Sequence, residues 1–254
     1  MIDILIPLGK GSRHTDIELR YCLRSIEKHL SGVGNIWIIG EMPEWLRNVV
    51  HVPCQDNPNN WNRARNIYLK IMVGINHVRR DMLVYECEDN DPTEPDSMLP
   101  NNFLFMNDDH FLLKDYEAAE FPFYHRGEIE TVGMTKNMPQ WRQYKNTTNV
   151  IGVHALDYDV HCPILYNKTI FKSVFTDLHW PEHGYAIKSM YCNKTRIAGE
   201  LCEDLKFSQP AMCETIYRVL DGRGWFSIGD RTLRSGDMLE VLGELYPDKS
   251  KWEL

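Results

Sequence analysis

The sequence predicts an α/β fold, a central and mostly parallel sheet flanked by helices, and three observations predict it. Short apolar runs rich in β-branched residues alternate with stretches whose apolar residues recur at helical spacing. The 254 residues, 43% hydrophobic and 25% charged, suit one large domain with a real core. The apolar run Asn102-Phe-Leu-Phe-Met106 then stops abruptly at Asn107-Asp108-Asp109-His110. A buried strand ends in this way.

The elements follow in chain order. Residues 2–7, Ile-Asp-Ile-Leu-Ile-Pro, form a buried strand that stops at Pro7, Gly9 and Gly11. Asp16 stands where a helix cap belongs, and Ile17, Cys22, Leu23, Ile26 and Leu30 give the helix its apolar stripe. A second strand is expected at Asn35–Ile39 and a third, short one at Val49–Val52. Trp61–Val78 reads as a helix with Ile67, Ile71 and Ile75 on one stripe. Residues 86–96, with Glu86, Glu88, Asp89, Asp91, Glu94 and Asp96 among prolines, match no calcium loop and read as a solvated insertion. Residues 115–150 read as a flexible crossing over the sheet. Helices are expected at Lys168–Phe175 and from Gly184 to Tyr191, and the tail Leu233–Trp252 as a short helix with an extended end. No repeat or linker divides the chain, so residues 1–254 form one domain.

Composition narrows the function. No apolar run reaches the roughly 18–20 residues of a membrane span, and the start Met-Ile-Asp-Ile-Leu-Ile-Pro lacks the pattern of a signal peptide. The expected location is cytoplasmic, where seven scattered cysteines remain free thiols. The net charge of -8 argues against a nonspecific nucleic-acid coat and makes a nucleic acid, modified or not, an unfavoured partner.

Asn107-Asp108-Asp109 is the strongest local signal for chemistry. Ligands of α/β sheets gather at the carboxyl ends of strands. Adjacent carboxylates there repel unless a positive group shares the site, and their hard oxygens suit Mg²⁺ or Mn²⁺ completed by substrate phosphates. The alternative is a plain Asn/Asp turn. Arg63 and Arg65 could grip a diphosphate as bidentate donors or be surface arginines. His161 is a candidate acid/base, since imidazole is the side-chain type that exchanges protons near neutrality. Glu182-His183-Gly184 reads as a helix-start turn or as a segment whose His183 is a metal ligand, and Asp204 as a candidate base or an exposed helix acid. Trp141 and Trp225-Phe226 could stack on a sugar, although aromatic core is their default.

Several of these segments resemble known families. Asp16-Ile-Glu-Leu-Arg-Tyr-Cys-Leu-Arg-Ser-Ile-Glu-Lys-His29, Asn35-Ile-Trp-Ile-Ile39, Pro43-Glu-Trp-Leu46 and Phe103-Leu-Phe-Met-Asn-Asp-Asp109 resemble, in order, a block of the Stealth family of sugar-phosphate transferases. His161-Cys-Pro163 resembles that family's H-x-P element. The family's opening Trp-Val-Asp run and its basic His-x-x-Arg element are absent. The same chain resembles glycosyltransferases of the Rossmann-like GT-A fold. Leu5-Ile-Pro7 and Leu23-Arg-Ser-Ile26 match their opening strand and helix, and Arg63-Ala-Arg-Asn66 their nucleotide-side helix start. Asn107-Asp108-Asp109 stands at their D-x-D motif, and Glu203-Asp204-Leu205 resembles their Glu-Asp-Leu element.

The resemblance implies a metal-dependent transferase moving a glycosyl group from a nucleotide sugar, a UDP-sugar above all, to an acceptor hydroxyl. Asp109, with Asp108 or His183, would hold Mn²⁺ or Mg²⁺. Pro7, Leu8, Gly9, Arg63, Arg65, Asn66, Asn107 and Asp108 would bind the donor, and Asp204 would take the acceptor proton, with His161 as substitute. Stealth-type transfer of sugar-1-phosphate, releasing UMP with His161 as base, is the alternative. A non-catalytic sugar- or nucleotide-binding module is the second.

Overall fold

The computed structural model describes residues 1–10, 14–58, 63–78, 98–130 and 138–254. The acidic insertion at 86–96, Trp61 and the side chain of Arg63 lie outside the described residues. Five strands form the central sheet: β1 (Ile2–Leu8), β3 (Val33–Gly40), β4 (Val50–Val52), β5 (Asn102–Phe105) and β9 (Ile164–Asn167), in the order β4-β3-β1-β5-β9. The first four are parallel and β9 closes the edge antiparallel to β5. This is the expected α/β architecture.

Alternation along the strands sends side chains to two faces. Ile4, Ile6, Ile36, Ile38 and Leu104 point one way, onto helix α1 (Ile17–His29). Leu5, Trp37, Ile39, Phe103 and Phe105 point the other way, toward α2 (Arg63–Ile75), α4 (Lys168–Phe175) and α5 (Ile187–Thr195). Leu19, Cys22, Leu23 and Ile26 of α1 are fully buried. Each large aliphatic side chain buried in this way contributes about 2 kcal/mol, so packing of this stripe, more than a capping side chain, holds α1 in place. Asp16 holds the cap position in a left-handed conformation, φ 55°, and its side chain makes no capping hydrogen bond.

A second, three-stranded sheet packs beyond α1, joining β6 (His110–Leu112), β11 (Lys206–Phe207) and β12 (Trp225–Ile228) in the order β11-β12-β6. Its aromatic residues are core, with Trp225 and Phe226 buried. Two parallel pairs are smaller: β2 (Leu30–Ser31) with β7 (Tyr116–Glu117), and β8 (Tyr124–His125) with β10 (Glu200–Leu201). Residues 115–150 correct the expectation of a flexible crossing. Their described part holds β7, β8 and the helix α3 (Pro139–Ile151), whose Tyr144 and Thr147 are buried. Helices α6 (Cys213–Leu220) and α7 (Gly236–Leu245) complete the order. No helix among the described residues is long and apolar enough to cross a membrane.

Candidate functional site

Strand order creates the crevice. The chain leaves β1 through α1 to β3 on one side, then returns through α2 to β5 on the other. The loops after β1 and β5 therefore diverge, and ligands bind where such connections part. Pro7 and Leu8 are buried, while Gly9 emerges into solvent. The Leu8 carbonyl accepts from Lys70 Nζ at 2.7 Å, and Asp56 lies 2.8 Å from the same ammonium. Gly40 makes room for this turn: its φ is +134°, and a Cβ there would stand 1.9 Å from the Leu8 oxygen. Asn66 ties α2 to the neighbouring loop, accepting from Asn57 N at 3.2 Å and donating to its carbonyl at 3.3 Å. Asn66 is thereby a clamp on the loop beside the crevice. Arg65 is partly exposed near the start of α2.

On the other wall, β5 delivers Asn107, Asp108 and Asp109, and the chain turns directly into β6. Asp109 Oδ2 accepts from Lys206 Nζ at 2.9 Å, whereas its buried Oδ1 has no hydrogen-bond partner among the described residues. Asp108 is pushed up to about 8, by burial first, then by the charges of Asp109, Glu18 and Asp16. His110 is fully buried, and burial, with Lys188, His161 and Lys206 nearby, holds it well below the usual histidine range. Its Nδ1 accepts from Asn107 N at 3.4 Å. Its Nε2 lies 3.4 Å from Asn107 Nδ2 and 3.7 Å from Asp109 Oδ1.

The antiparallel pairing of β9 with β5 brings His161 to the same place, because Phe105 pairs with Ile164. His161 sits in a tight turn closed by Cys162 N on the Val160 carbonyl at 2.9 Å. Buried Lys188 fixes that turn, donating to the carbonyls of Val160 and Cys162 at 2.6 and 2.7 Å. Asp204 grips His161 at two points: Oδ1 accepts the backbone N–H at 2.9 Å and Oδ2 faces Nδ1 at 2.6 Å. Arg126 donates to Asp204 Oδ2 at 3.1 Å and to Asp157 at 2.8 Å. Burial works to raise the Asp204 carboxyl, but His161 and Arg126 outweigh it and hold it below the usual range. An ionised Asp204 keeps the imidazole proton on Nδ1, so Nε2 of the neutral ring is an acceptor. The His161 side chain is 31% exposed and that of Asp204 6%. The rings of His161 and His110 lie 6.4 Å apart, edge to face.

The expected site residues are therefore divided. Asn107, Asp108, Asp109, His161 and Asp204 converge. His183 lies against the Arg142 guanidinium, with Glu182 at 3.7 Å. Among the described residues no group of three or more His, Cys, Asp or Glu side chains is arranged to hold a metal ion. Asp108 and Asp109 nevertheless fit a hard cation whose shell a substrate completes: their donors are all oxygens, and Asp109 Oδ1 is buried and unengaged among the described residues. Sequence reasoning missed Glu18, Lys206, Arg126 and Lys188. Lys206 follows directly on Glu203-Asp204-Leu205 and was the most findable of them. An open depression of about 570 Å³ beside Lys114, Tyr217, Arg218 and Arg223 carries none of these groups.

No family model matches the chain, and no curated protein matches it in sequence. Among solved structures, a crystal structure of the galactosyltransferase LgtC in complex with donor and acceptor sugar analogues is similar over 98% of both chains, at 10% identity and a TM-score of 0.43.

Proposed function

We propose that this protein transfers a glycosyl group from a nucleotide sugar to an acceptor hydroxyl. The observation that carries the reading is the juxtaposition, across one histidine ring, of an acid-rich strand end and a histidine oriented by a buried carboxylate. The first suits a diphosphate bound with a cation, the second a hydroxyl that must lose a proton. The motif resemblances at Arg63–Asn66, Asn107–Asp109 and Glu203–Leu205 support the same assignment.

Asp109 and Asp108 would hold Mn²⁺ or Mg²⁺, which when bound neutralises charge on the departing nucleotide. The Gly9 backbone and the start of α2 border the donor, and the dipole of α2 favours its phosphates. His161 Nε2 accepts the acceptor's proton as the acceptor oxygen bonds to the sugar C1. The bond from C1 to the phosphate oxygen breaks with its electron pair on the nucleoside diphosphate. Asp204 serves as the positioning residue behind His161, since both its oxygens are already engaged by His161 and Arg126. It stabilises the imidazolium that forms. The same histidine suits a second reading in which the acceptor attacks the β-phosphorus and sugar-1-phosphate is transferred.

Incubation with a panel of nucleotide sugars and Mn²⁺, with and without EDTA, tests this. Release of nucleoside diphosphate, lost with EDTA, is the expected result. Release of the monophosphate would replace glycosyl with sugar-phosphate transfer. Neither turnover nor donor binding would leave a binding module for another ligand.

A further inference from the structure

Strand register delivers Lys206 to the acids. Lys206 pairs with Ser227 across β11 and β12, Ser227 pairs with His110 across β12 and β6, and Asp109 is the residue before His110. The ammonium meets Asp109 Oδ2 at 2.9 Å, with Lys206 30% and Asp109 23% exposed. The other oxygen of the same carboxylate is buried and has no hydrogen-bond partner among the described residues. This ion pair is half satisfied and open to solvent. Glu253 is the opposite case: its fully buried carboxylate is engaged on both oxygens by Arg20 and Arg24.

We propose that Lys206 is a resident counter-ion, which neutralises Asp109 in the empty site and passes to the donor's phosphates when a divalent cation takes Asp109. The proposal rests on the nucleotide-sugar reading and deepens it. A dication and an ammonium on one carboxylate repel each other, and the dication carries twice the charge. Lys206 then needs another anion within reach of its flexible stem. The phosphates that complete the cation's shell supply one beside Asp109. An ammonium presents three donors to phosphate oxygens and needs no fixed angle of approach.

Lys206→Gln tests this by removing the charge at nearly constant length. Titrated with MnCl₂ alone in a calorimeter, the variant is expected to bind Mn²⁺ about tenfold more tightly than wild type, the scale of a lost unit repulsion a few ångströms from a dication in water. Titrated at saturating Mn²⁺ with each common nucleoside diphosphate, it is expected to bind about tenfold more weakly. Lys206→Arg, which keeps the charge, is expected to stay near wild type in both. A misfolded variant would lose both affinities together, so opposite shifts separate the proposal from damage. Mn²⁺ binding by Lys206→Gln that is unchanged or weaker overturns the counter-ion. Unchanged nucleotide binding overturns the transfer to phosphate. Wild type that binds Mn²⁺ but no nucleoside diphosphate contradicts the donor reading, and the Mn²⁺ comparison then judges the counter-ion alone.

Discussion

Helix α1 reaches two acidic places and treats them oppositely. At one, Arg20 and Arg24 engage Glu253, which is 1% exposed and also accepts from Ser250 N at 3.0 Å. Burial alone would raise that carboxyl, but the Arg24 and Ser250 hydrogen bonds bring it down to about 2. At the other, Glu18 and Asp16 add negative charge beside Asp108, and burial with Asp109 pushes that carboxyl up to about 8. One helix and one kind of side chain give shifts of opposite sign. The difference is whether the chain supplies enough cation. A structural acid that ties the C-terminus to α1 is saturated from within, whereas of the strand-end acids Asp109 alone pairs with Lys206 and Asp108 is surrounded by further negative charge.

The contrast breaks first at activity. Asp109→Asn is expected to lower metal-dependent nucleotide release about a hundredfold or more, the scale of lost electrostatic stabilisation at a developing charge, with the melting temperature unchanged or raised. Full turnover by this variant would remove Asp109 from the site. Glu253→Gln is expected to do the reverse. Breaking a buried pair costs about 3 kcal/mol, read as a lower urea midpoint, with turnover per folded molecule retained. The sign with pH follows, because a depressed carboxyl stabilises the fold above its unfolded value of 4.5 and loses that contribution as pH falls toward 2. Wild type should therefore show an acid slope that the variant lacks.

The smallest effect sharpens the comparison. Asp108 has the raised carboxyl, so its contribution is fully present below the unfolded value of 3.8 and is lost as pH rises toward about 8. Asp108→Asn keeps the shape and removes the charge. Denaturation without divalent cations should find it more stable than wild type at pH 8.5, on the order of 2 kcal/mol, with the gap closing toward pH 4. A gap that is constant with pH would mean that Asp108 is not under this repulsion.

Much of the fold was legible because its signals are local. The apolar runs of β1, β3 and β5 bury both faces of the sheet, and the stripe of Leu19, Cys22, Leu23 and Ile26 needs no partner to be read as a helix. Helix α4 was found at its full extent, Lys168–Phe175. What escaped depends on distant partners. The three-residue β6 exists because it pairs with Trp225–Ser227, and α3 hides behind a polar sequence that buries little beyond Tyr144 and Thr147. At the site, the acid triplet and His161 were visible as residue types at a strand end and in a short motif. In sequence Asp204 reads as a candidate base or an exposed helix acid; it is buried, and both its oxygens are held by His161 and Arg126. Arg126 and Lys188, which carry no motif, hold Asp204 and the His161 turn from other elements.

The central claim is that the end of β5 is a cation deficit built around Asp108 and Asp109. Thermal unfolding at pH 8 against rising MnCl₂ tests it most directly, since an ion that binds the folded state alone raises the melting temperature by mass action. The account predicts a saturating rise for wild type that is absent from Asp109→Asn and unaltered in a control such as Glu128→Gln, whose acid pairs with His154 on the surface. A flat wild-type curve, or the same rise in Asp109→Asn, would contradict it.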